Sequence, residues 1–222
     1  MPVFNSQHVF VHIPKTGGQS ISKAMGERVT GAKLPESPFK AHWTALEIKK
    51  VYPAEFEKYF KFSVVRHPLA RLVSEYGYFR SGRMARRYRY WDTSLPANLQ
   101  ETLSFSQFLF DIRDHCISHP NHNIRCRYYT MKHYLYDEQG KLMVDKVFRH
   151  ENFQEVEDFI LKTGGKELIH KNKSTHEHFL SYYTKETLAV AQALYEDDFA
   201  IFGYELLNPD TFKGVYGPCP YN

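Results

Sequence analysis

The strongest constraint on the fold is a strand-like run near the start of the chain that breaks into a turn with two consecutive glycines. Residues 9–13 are mostly β-branched or aromatic on both faces, as in a strand buried within a parallel sheet. Residues 14–20 then supply a proline that ends the strand, glycines that allow left-handed backbone, and Ser20, which can cap a following helix. Backbone N–H groups beside Lys15 at such a turn can bind a phosphate-like anion. Taken alone, the segment also fits an ordinary strand-to-helix turn that binds nothing.

A second strand-to-helix junction lies further along the chain. Residues 62–65 again form a buried-strand pattern, and Pro68 suits the first position of the helix that follows. Arg66 then stands at the carboxyl end of the strand, and Ser74 lies about two turns into the helix. Because ligands of open α/β sheets gather at the carboxyl ends of the strands, both junctions are expected to contribute to one site. Singly, Arg66 also fits a salt bridge at a strand end, and Ser74 a helix surface position.

Together these segments resemble the sulfotransferases that use 3′-phosphoadenosine 5′-phosphosulfate (PAPS), in particular the family of the heparan sulfate 2-O- and 6-O-sulfotransferases and their bacterial relatives, sulfotransferase family 2. Residues 14–20 (PKTGGQS) match its first motif and residues 65–76 (VRHPLARLVSEY) its second. Residues 170–175 (HKNKST) are similar to its late loop, and residues 195–204 (YEDDFAIFGY) to its typical ending. The resemblance therefore extends over most of the chain.

The resemblance implies transfer of a sulfuryl group from PAPS, as cosubstrate and without a metal, to an acceptor hydroxyl by in-line displacement. It implies that the first motif holds the 5′-phosphosulfate and the second the 3′-phosphate. Lys15 would stabilise the negative charge that develops on the bridging oxygen as sulfur leaves. The cofactor-binding residues implied in this way are Lys15, Thr16, Gly17, Gly18, Gln19, Ser20, Arg66, Ser74, Lys173 and Ser174.

A catalytic base is also required, because the acceptor hydroxyl loses its proton as it attacks sulfur, and histidine suits this role near neutral pH. His42 lies on the loop between the two motifs, where the family supplies its catalytic histidine. The 6-O-sulfotransferases place theirs two residues earlier relative to the tryptophan, where this chain has Lys40. The alternative for His42 is a loop histidine packed against Trp43. His12 and the histidine of the second motif are expected to be supporting residues.

Acceptor recognition is expected from the region after the second motif, where cationic and aromatic residues are concentrated. Arginine pairs with carboxylates and sulfates, and aromatic rings can cover sugar faces, so we expect an anionic carbohydrate acceptor. A solvated arm or a nucleic-acid site are the alternatives, and a net charge of +4 is too modest to favour nucleic acid. The residues concerned are Arg80, Arg83, Arg86, Arg87, Arg89, Tyr88, Tyr90 and Trp91.

Three alternatives compete with this interpretation. A Walker-type kinase needs a lysine after the last glycine of the turn, whereas Lys15 precedes both glycines here. An inactive nucleotide- or carbohydrate-binding protein on the same fold would need neither Lys15 nor His42 for chemistry. A structural zinc site could draw on cysteines and histidines whose irregular spacing matches no common zinc finger: Cys116, His119, His122 and Cys126.

Length and composition fit a single sulfotransferase domain over residues 1–222. We expect an α/β fold: a P-loop-like three-layer domain with a central parallel sheet flanked by helices. Predicted helices cover residues 20–27, 44–51, 104–114, 153–161 and 184–195, and a late strand covers residues 144–148. The mean hydropathy of −0.52 and the lack of a long apolar run predict no membrane span, and no signal peptide is recognised. With three cysteines and no dense disulfide framework, a cytoplasmic location is expected.

Overall fold

The computed structural model describes residues 2–27, 42–82, 102–169 and 178–214. The chain divides into two compact units, each of which is described by itself. The first comprises Met1–Arg66 and His119–Asn172, and the second comprises His67–Ser118 and Lys173–Asn222. The single sulfotransferase domain expected from the sequence remains a prediction.

Helices and strands alternate along the described residues, as the sequence predicts for an α/β fold. The strands are β1 (Val3–Phe4), β2 (His8–Val11), β3 (Phe60–Val65) and β4 (Lys146–Arg149). The helices are α1 (Gly18–Ala24), α2 (Ala45–Val51), α3 (Pro53–Lys58), α4 (Pro68–Arg80), α5 (Phe105–Asp111), α6 (His122–Arg125), α7 (Met131–Leu135), α8 (Phe153–Lys162), α9 (Lys185–Leu194) and α10 (Glu196–Phe202). A π-helical turn, Ile112–Cys116, continues α5, and short 3₁₀ turns cover Cys126–Tyr128, His150–Asn152 and Phe179–Tyr182.

A four-stranded sheet in the order β1-β2-β3-β4 forms the centre of the first unit. Strands β2, β3 and β4 are mutually parallel, with Val11 opposite Ser63 and Val65 opposite Arg149. Their carboxyl ends therefore meet at one edge of the sheet. The segments that follow β2 and β3, which carry the two phosphate-binding motifs predicted from the sequence, begin at that edge.

The sheet is mostly parallel rather than wholly parallel, which corrects the expectation of a parallel sheet. Strand β1 pairs antiparallel with β2, with Val3 opposite Val9. Only residues 5–7 connect the two strands, and a connection this short can join only antiparallel neighbours. Gln7 turns the chain with a φ of 60°.

Aromatic and aliphatic side chains fill the core of the first unit, between the sheet and helices α1 and α8. The rings of Phe10 and Phe62 stack on neighbouring strands with centroids 5.0 Å apart. Full burial of a large apolar side chain stabilises a fold by roughly 1.5–3 kcal/mol. One buried cluster of this core consists of Phe4, Phe10, Ile21, Ala24, Met25, Phe62, Val64, Phe148, Val156, Ile160 and Leu168.

Local sequence signals explain where the helices beside the candidate site begin and end. Helix α1 ends before Gly26, whose φ of 80° lies in the left-handed region that glycine adopts without strain. The helix is therefore shorter than predicted, since the sequence predicted that it would extend to Glu27. Helix α2 begins after Thr44, whose hydroxyl accepts from the Glu47 backbone while the Glu47 carboxylate accepts from the Thr44 backbone. This capping box satisfies two N–H groups that the helix itself leaves without acceptors.

In the second unit, the family-like ending of the chain packs on the helix that carries the second motif. Arg71 of α4 lies 4.0 Å from the carboxylate of Asp198 in α10, and both side chains are buried. His67 caps α4 by accepting from the backbone of Leu69 at 3.3 Å. Its ring contacts those of Phe179, Phe199 and Tyr204, at centroid distances of 5.0, 5.7 and 5.1 Å. Asp198, Phe199 and Tyr204 of this ending thus have packing roles within the second unit.

No helix in the described part of the chain has both the length and the apolar character needed to cross a membrane.

Candidate active site

The turn after β2 has an unusual backbone conformation. Lys15 has a φ of 69° and Gly17 a φ of 83°, both in the left-handed region. A non-glycine residue held in this region costs on the order of 1–3 kcal/mol, so the surroundings must stabilise it. Thr16 does so from inside the turn, because its buried hydroxyl donates to the carbonyl of Ile13 at 3.0 Å. The Thr16 hydroxyl therefore stabilises the turn from inside. The backbone of the turn, rather than this hydroxyl, is the part that could face a ligand.

Both glycines of the turn are required by close neighbours. A Cβ at Gly17 would lie 2.8 Å from the ring of Phe153, and a Cβ at Gly18 would lie 1.9 Å from the ring of His12. The sequence suggested glycines for conformational freedom, but at Gly18 the decisive reason is space. Any larger residue there would have to displace the His12 ring.

Arg66 follows β3 and reaches the turn that follows β2. Its guanidinium Nη1 donates to the carbonyl oxygen of Lys15 at 3.2 Å. Its backbone N–H donates to the Sδ of Met131 in α7 at 3.4 Å. The structure thus brings Lys15 and Arg66 together at the carboxyl edge of the parallel strands, as the two junctions predicted.

His42 also belongs to the first unit and approaches His12, the residue directly after β2. Its Nδ1 lies 3.2 Å from the carbonyl oxygen of His12, and the two imidazole rings have centroids 4.5 Å apart. Trp43 next to it is buried and packs near Tyr52, with ring centroids 6.4 Å apart. The alternative expected from the sequence is His42 packed against Trp43; the structure shows contacts of His42 with His12.

The other predicted site residues fall into three groups. In the first turn of α1, Gln19 is exposed and Ser20 is buried. Ser74 is half-buried on α4, which belongs to the second unit. The third group lies outside the described residues: Lys173, Ser174, Arg83, Arg86, Arg87, Arg89, Tyr88, Tyr90 and Trp91.

A third strand-to-helix junction also borders the turn, and it was not singled out from the sequence. Strand β4 ends at Arg149, and the next residues bring His150 and Phe153 against Gly17. The rings of His150 and Phe153 contact each other with centroids 5.2 Å apart. Residues 144–148 predict a strand and residues 153–161 predict a helix. In a parallel sheet the junction between them lies at the same edge as the other two, so the sequence did carry a signal for this junction.

A histidine- and tyrosine-rich segment between β3 and β4 forms a compact polar cluster in the first unit. Arg125 donates from Nε to the hydroxyl of Tyr129 and from Nη1 to the carbonyl of His119, both at 2.7 Å. The Tyr129 and His133 rings have centroids 4.1 Å apart. Burial lowers the pKa of His133; the charge of Glu47 opposes this shift, and Arg125 adds to it. The contacts of Arg125 hold this segment together.

The zinc alternative finds no support in the described part of the chain. There, no group of three or more His, Cys, Asp or Glu side chains is arranged to hold a metal ion. The Nδ1 of His119 accepts from the backbone of Asn121 at 3.0 Å, and the Sγ of Cys116 lies 3.3 Å from a carboxylate oxygen of Asp111.

The first unit thus presents a lysine on a constrained turn, an arginine bound to that turn, and an imidazole next to the strand that leads into it. A cation and loop N–H groups can stabilise an anion, and an imidazole can exchange a proton. Comparison with known families agrees with this chemistry: the profile of the Sulfotransferase family matches residues 5–205. The chain therefore belongs to the sulfotransferase family, and specifically to sulfotransferase family 2, the group of the resemblance stated above. Its general chemistry is sulfuryl transfer. Neither a curated protein nor a solved structure gives a significant match.

Proposed function

We propose that this chain is a PAPS-dependent sulfotransferase that transfers a sulfuryl group to a hydroxyl of a carbohydrate, by in-line displacement. The observation that carries the proposal is the contact between Arg66 and Lys15, since it joins the two motifs that the family uses for the two ends of the nucleotide. The family match over residues 5–205 supports the same chemistry. In this proposal the turn acts as a P-loop-like cradle on a three-layer domain.

The residues around the turn fit an anionic nucleotide. Lys15 is half-buried, and a cation at a protein surface interacts more strongly with negative charge than it would in bulk water. The N–H groups of Gly18 and Gln19 begin α1, where backbone donors have no acceptor within the helix. PAPS, when bound, supplies an activated sulfuryl group on a phosphate leaving group.

Lys15 is proposed to stabilise the charge of the departing phosphate. As the bond between sulfur and the bridging oxygen breaks, the oxygen keeps the electron pair and becomes more negative. A cation already placed there interacts more strongly with the transition state than with the ground state, which accelerates the reaction. The fixed conformation of the turn, stabilised by Thr16 and Arg66, means that little reorganisation is needed at that moment.

His42 is proposed to take the proton of the acceptor hydroxyl as its oxygen bonds to sulfur. A carbonyl oxygen can only accept hydrogen bonds, so the contact with His12 places the proton of neutral His42 on Nδ1. The other ring nitrogen, Nε2, is then the one able to accept a proton. Arg66 and Ser74 are proposed to bind the 3′-phosphate, with Lys173 and Ser174 closing over the nucleotide.

The acceptor is proposed to be an anionic carbohydrate contacted by Arg83, Arg86, Arg87 and Arg89. Guanidinium groups and aromatic rings are concentrated in that short stretch of sequence, which suits an anionic sugar chain. Neither nucleic acid nor a metal is needed in this mechanism.

The direct test is transfer from PAPS labelled with radioactive sulfur to a panel of unsulfated and partly sulfated polysaccharides. We expect label in one class of polysaccharide with the parent chain and background incorporation with Lys15→Ala. Tight binding of adenosine 3′,5′-bisphosphate without transfer to any member of the panel would favour an inactive binding protein. Phosphate transfer from ATP to the same panel would favour a kinase.

A further inference from the structure

Gly18 of the turn packs against a side chain for which the proposed reaction has no step. The built Cβ of Gly18 lies 1.9, 2.1 and 2.6 Å from Cδ2, Nε2 and Cγ of His12. The imidazole of His12 therefore covers the backbone of Gly18, in the space that any other residue would use for its side chain. On its other side the ring is stacked with Phe10, at a centroid distance of 5.6 Å and an interplanar angle of 16°.

His12 is thus held between a core aromatic ring and the backbone of the first turn of α1. Phe10 is buried in the core of the first unit and itself stacks on Phe62. A ring confined in this way has few alternative rotamers, because protein interiors are close-packed and a rotated ring would meet neighbouring atoms. The position of the His12 ring is therefore set by the sheet.

His42 contacts His12 in two ways. The His42 Nδ1 lies 3.2 Å from the His12 carbonyl, and the two rings meet at an angle of 57° with centroids 4.5 Å apart. The backbone contact selects which ring nitrogen carries the proton, and the ring contact limits the orientation of the imidazole. Directly after His42 in the chain, buried Trp43 and the capping box of Thr44 fix the position of the backbone.

We infer that His12 is a positioning residue for His42, and that Gly18 is required because it makes room for the His12 ring. The inference rests on the proposed role of His42 as the base. In that role Nε2 of His42 takes the hydroxyl proton, the hydroxyl oxygen bonds to sulfur, and the leaving phosphate keeps the electron pair. His12 exchanges no proton in this scheme; it keeps His42 in the tautomer and orientation that the step needs.

The test uses the tautomer of His42, which can be measured without knowing the acceptor. Long-range proton–nitrogen spectra of the full chain labelled with ¹⁵N-histidine report which nitrogen is protonated, and His42→Ala identifies the signal. We expect neutral His42 to carry its proton on Nδ1 in the parent. In His12→Ala and in Gly18→Ala the signals should shift towards a mixture of the two tautomers. His12→Phe, which retains a ring beside His42, should restore much of the parental spectrum.

A matched control is His8→Gln, which changes the histidine that begins β2, four residues before His12. His8 packs against Phe60, Phe62 and Phe159, so its replacement should leave the His42 signals unchanged. Binding of adenosine 3′,5′-bisphosphate shows that the histidine variants are folded. For Gly18→Ala, which changes a proposed nucleotide-binding residue, far-UV circular dichroism and urea unfolding show this instead. The inference is overturned if parental His42 is protonated on Nε2, or if His12→Ala leaves the tautomer as in the parent.

Turnover separates this inference from the proposed function. With the polysaccharide that accepts label, His12→Ala is expected to lose roughly 100-fold in kcat, the size of effect expected when a reacting group is misplaced by about 1 Å. His12→Phe should recover much of that loss and keep the parental pH profile. Equal loss in His12→Ala and His12→Phe would make His12 itself the proton acceptor and would overturn the positioning role. Parental turnover in His42→Ala would instead refute the proposed base, whatever the tautomer result.

Discussion

The guanidinium of Arg66 donates to the backbone carbonyl of Lys15 at 3.2 Å, across a sequence separation of 51 residues. Lys15 itself has a left-handed backbone with a φ of 69°. Arg66, which follows β3, therefore helps to fix the backbone of the turn after β2. Consequently a change at Arg66 can act on the nucleotide directly or through the turn, and an experiment has to separate the two.

Replacing Arg66 by alanine should weaken adenosine 3′,5′-bisphosphate binding far more than AMP binding. AMP lacks the 3′-phosphate, which is the proposed partner of Arg66. A charge-assisted contact of this type is worth roughly 1.5–3 kcal/mol, or about ten- to a hundred-fold in affinity. Calorimetry with both nucleotides provides the comparison, and Arg66→Lys serves as the control that keeps the charge without the forked geometry. Equal losses for the two nucleotides would mean that Arg66 acts only by holding the Lys15 turn.

Removing the side chain of Lys15 should abolish transfer while the protein stays folded. Loss of one group that stabilises developing charge costs roughly 2.7–4 kcal/mol of barrier, which is about 10²–10³ in kcat. Two variants distinguish the ammonium group from the backbone conformation. Both Lys15→Ala and Lys15→Gly should lose transfer, whereas Lys15→Gly should be the more stable in urea, because glycine accepts the left-handed φ without strain. Near-parental release of bisphosphate by either variant would contradict the proposed role.

His42→Ala should lose turnover and keep nucleotide affinity. General-base catalysis by a positioned side chain contributes roughly 10²–10⁴-fold, and its loss should appear in kcat rather than in PAPS binding. The parental rate should rise with pH as His42 loses its second ring proton and becomes able to accept one, and this rise should be absent in the variant. The measurement is a pH–rate profile of both proteins together with a nucleotide titration.

The control for that experiment is His115→Ala, which removes an exposed histidine of the second unit. It should retain the parental rate and pH profile. If His42→Ala does the same, then the base lies elsewhere, and His12 would be the next residue to test.

Gly18→Ala should destabilise the protein through its collision with His12. Overpacking of this kind typically costs about 1–3 kcal/mol of unfolding free energy. In a His12→Ala background the ring is absent, so the same substitution should cost less, and the two changes should be non-additive. Urea unfolding of the four proteins measures this coupling. Gly77→Ala is a matched control, because nothing lies within 4 Å of its built Cβ; on a helix it should stabilise by roughly 0.8–1 kcal/mol. Additive effects of Gly18→Ala and His12→Ala would show that the contact is not the cause.

The unfolding free energy should fall as pH decreases below about 6.5. Burial lowers the pKa of His8 from its ordinary value of 6.5, and a hydrogen bond with Ser6 opposes this only in part. The folded state therefore binds a proton at lower pH than the unfolded chain does, so protonation favours unfolding. The stabilisation is present above the unfolded pKa and is lost as pH falls through the lower, folded pKa. His133, whose pKa is also lowered, contributes with the same sign.

His8→Gln should make stability depend less on pH over that range, even if the variant is less stable at every pH. Urea unfolding midpoints at several pH values on either side of 6.5 provide the measurement. A parental dependence in His8→Gln would assign the effect to other groups, and His133→Gln would then be the variant to compare.

Most elements could be predicted because their signals are local. The capping residues Thr44, Ser104 and Thr184 precede helices that begin at the next residue, close to the predicted starts. The predictions are less accurate where the backbone changes helix type or direction. The helix predicted over residues 104–114 ends as an α-helix at Asp111 and continues as a π-helical turn. Such changes depend on packing around the chain, and apolar periodicity carries little information about them.

In the candidate site, too, local sequence signals predicted some features, and packing between distant residues decided the others. Local patterns of strand, turn and helix were sufficient to place Lys15 and Arg66 at the carboxyl ends of parallel strands, because parallel topology brings those ends together. Local patterns could not show that Arg66 holds the Lys15 carbonyl or that His42 donates to the carbonyl of His12. Nor could they show that the His12 ring fills the space over Gly18. Chain connectivity and hydrophobic pattern determined which segments meet; side-chain contacts between residues distant in sequence arise only when the sheet is assembled, and these decided how the site is held.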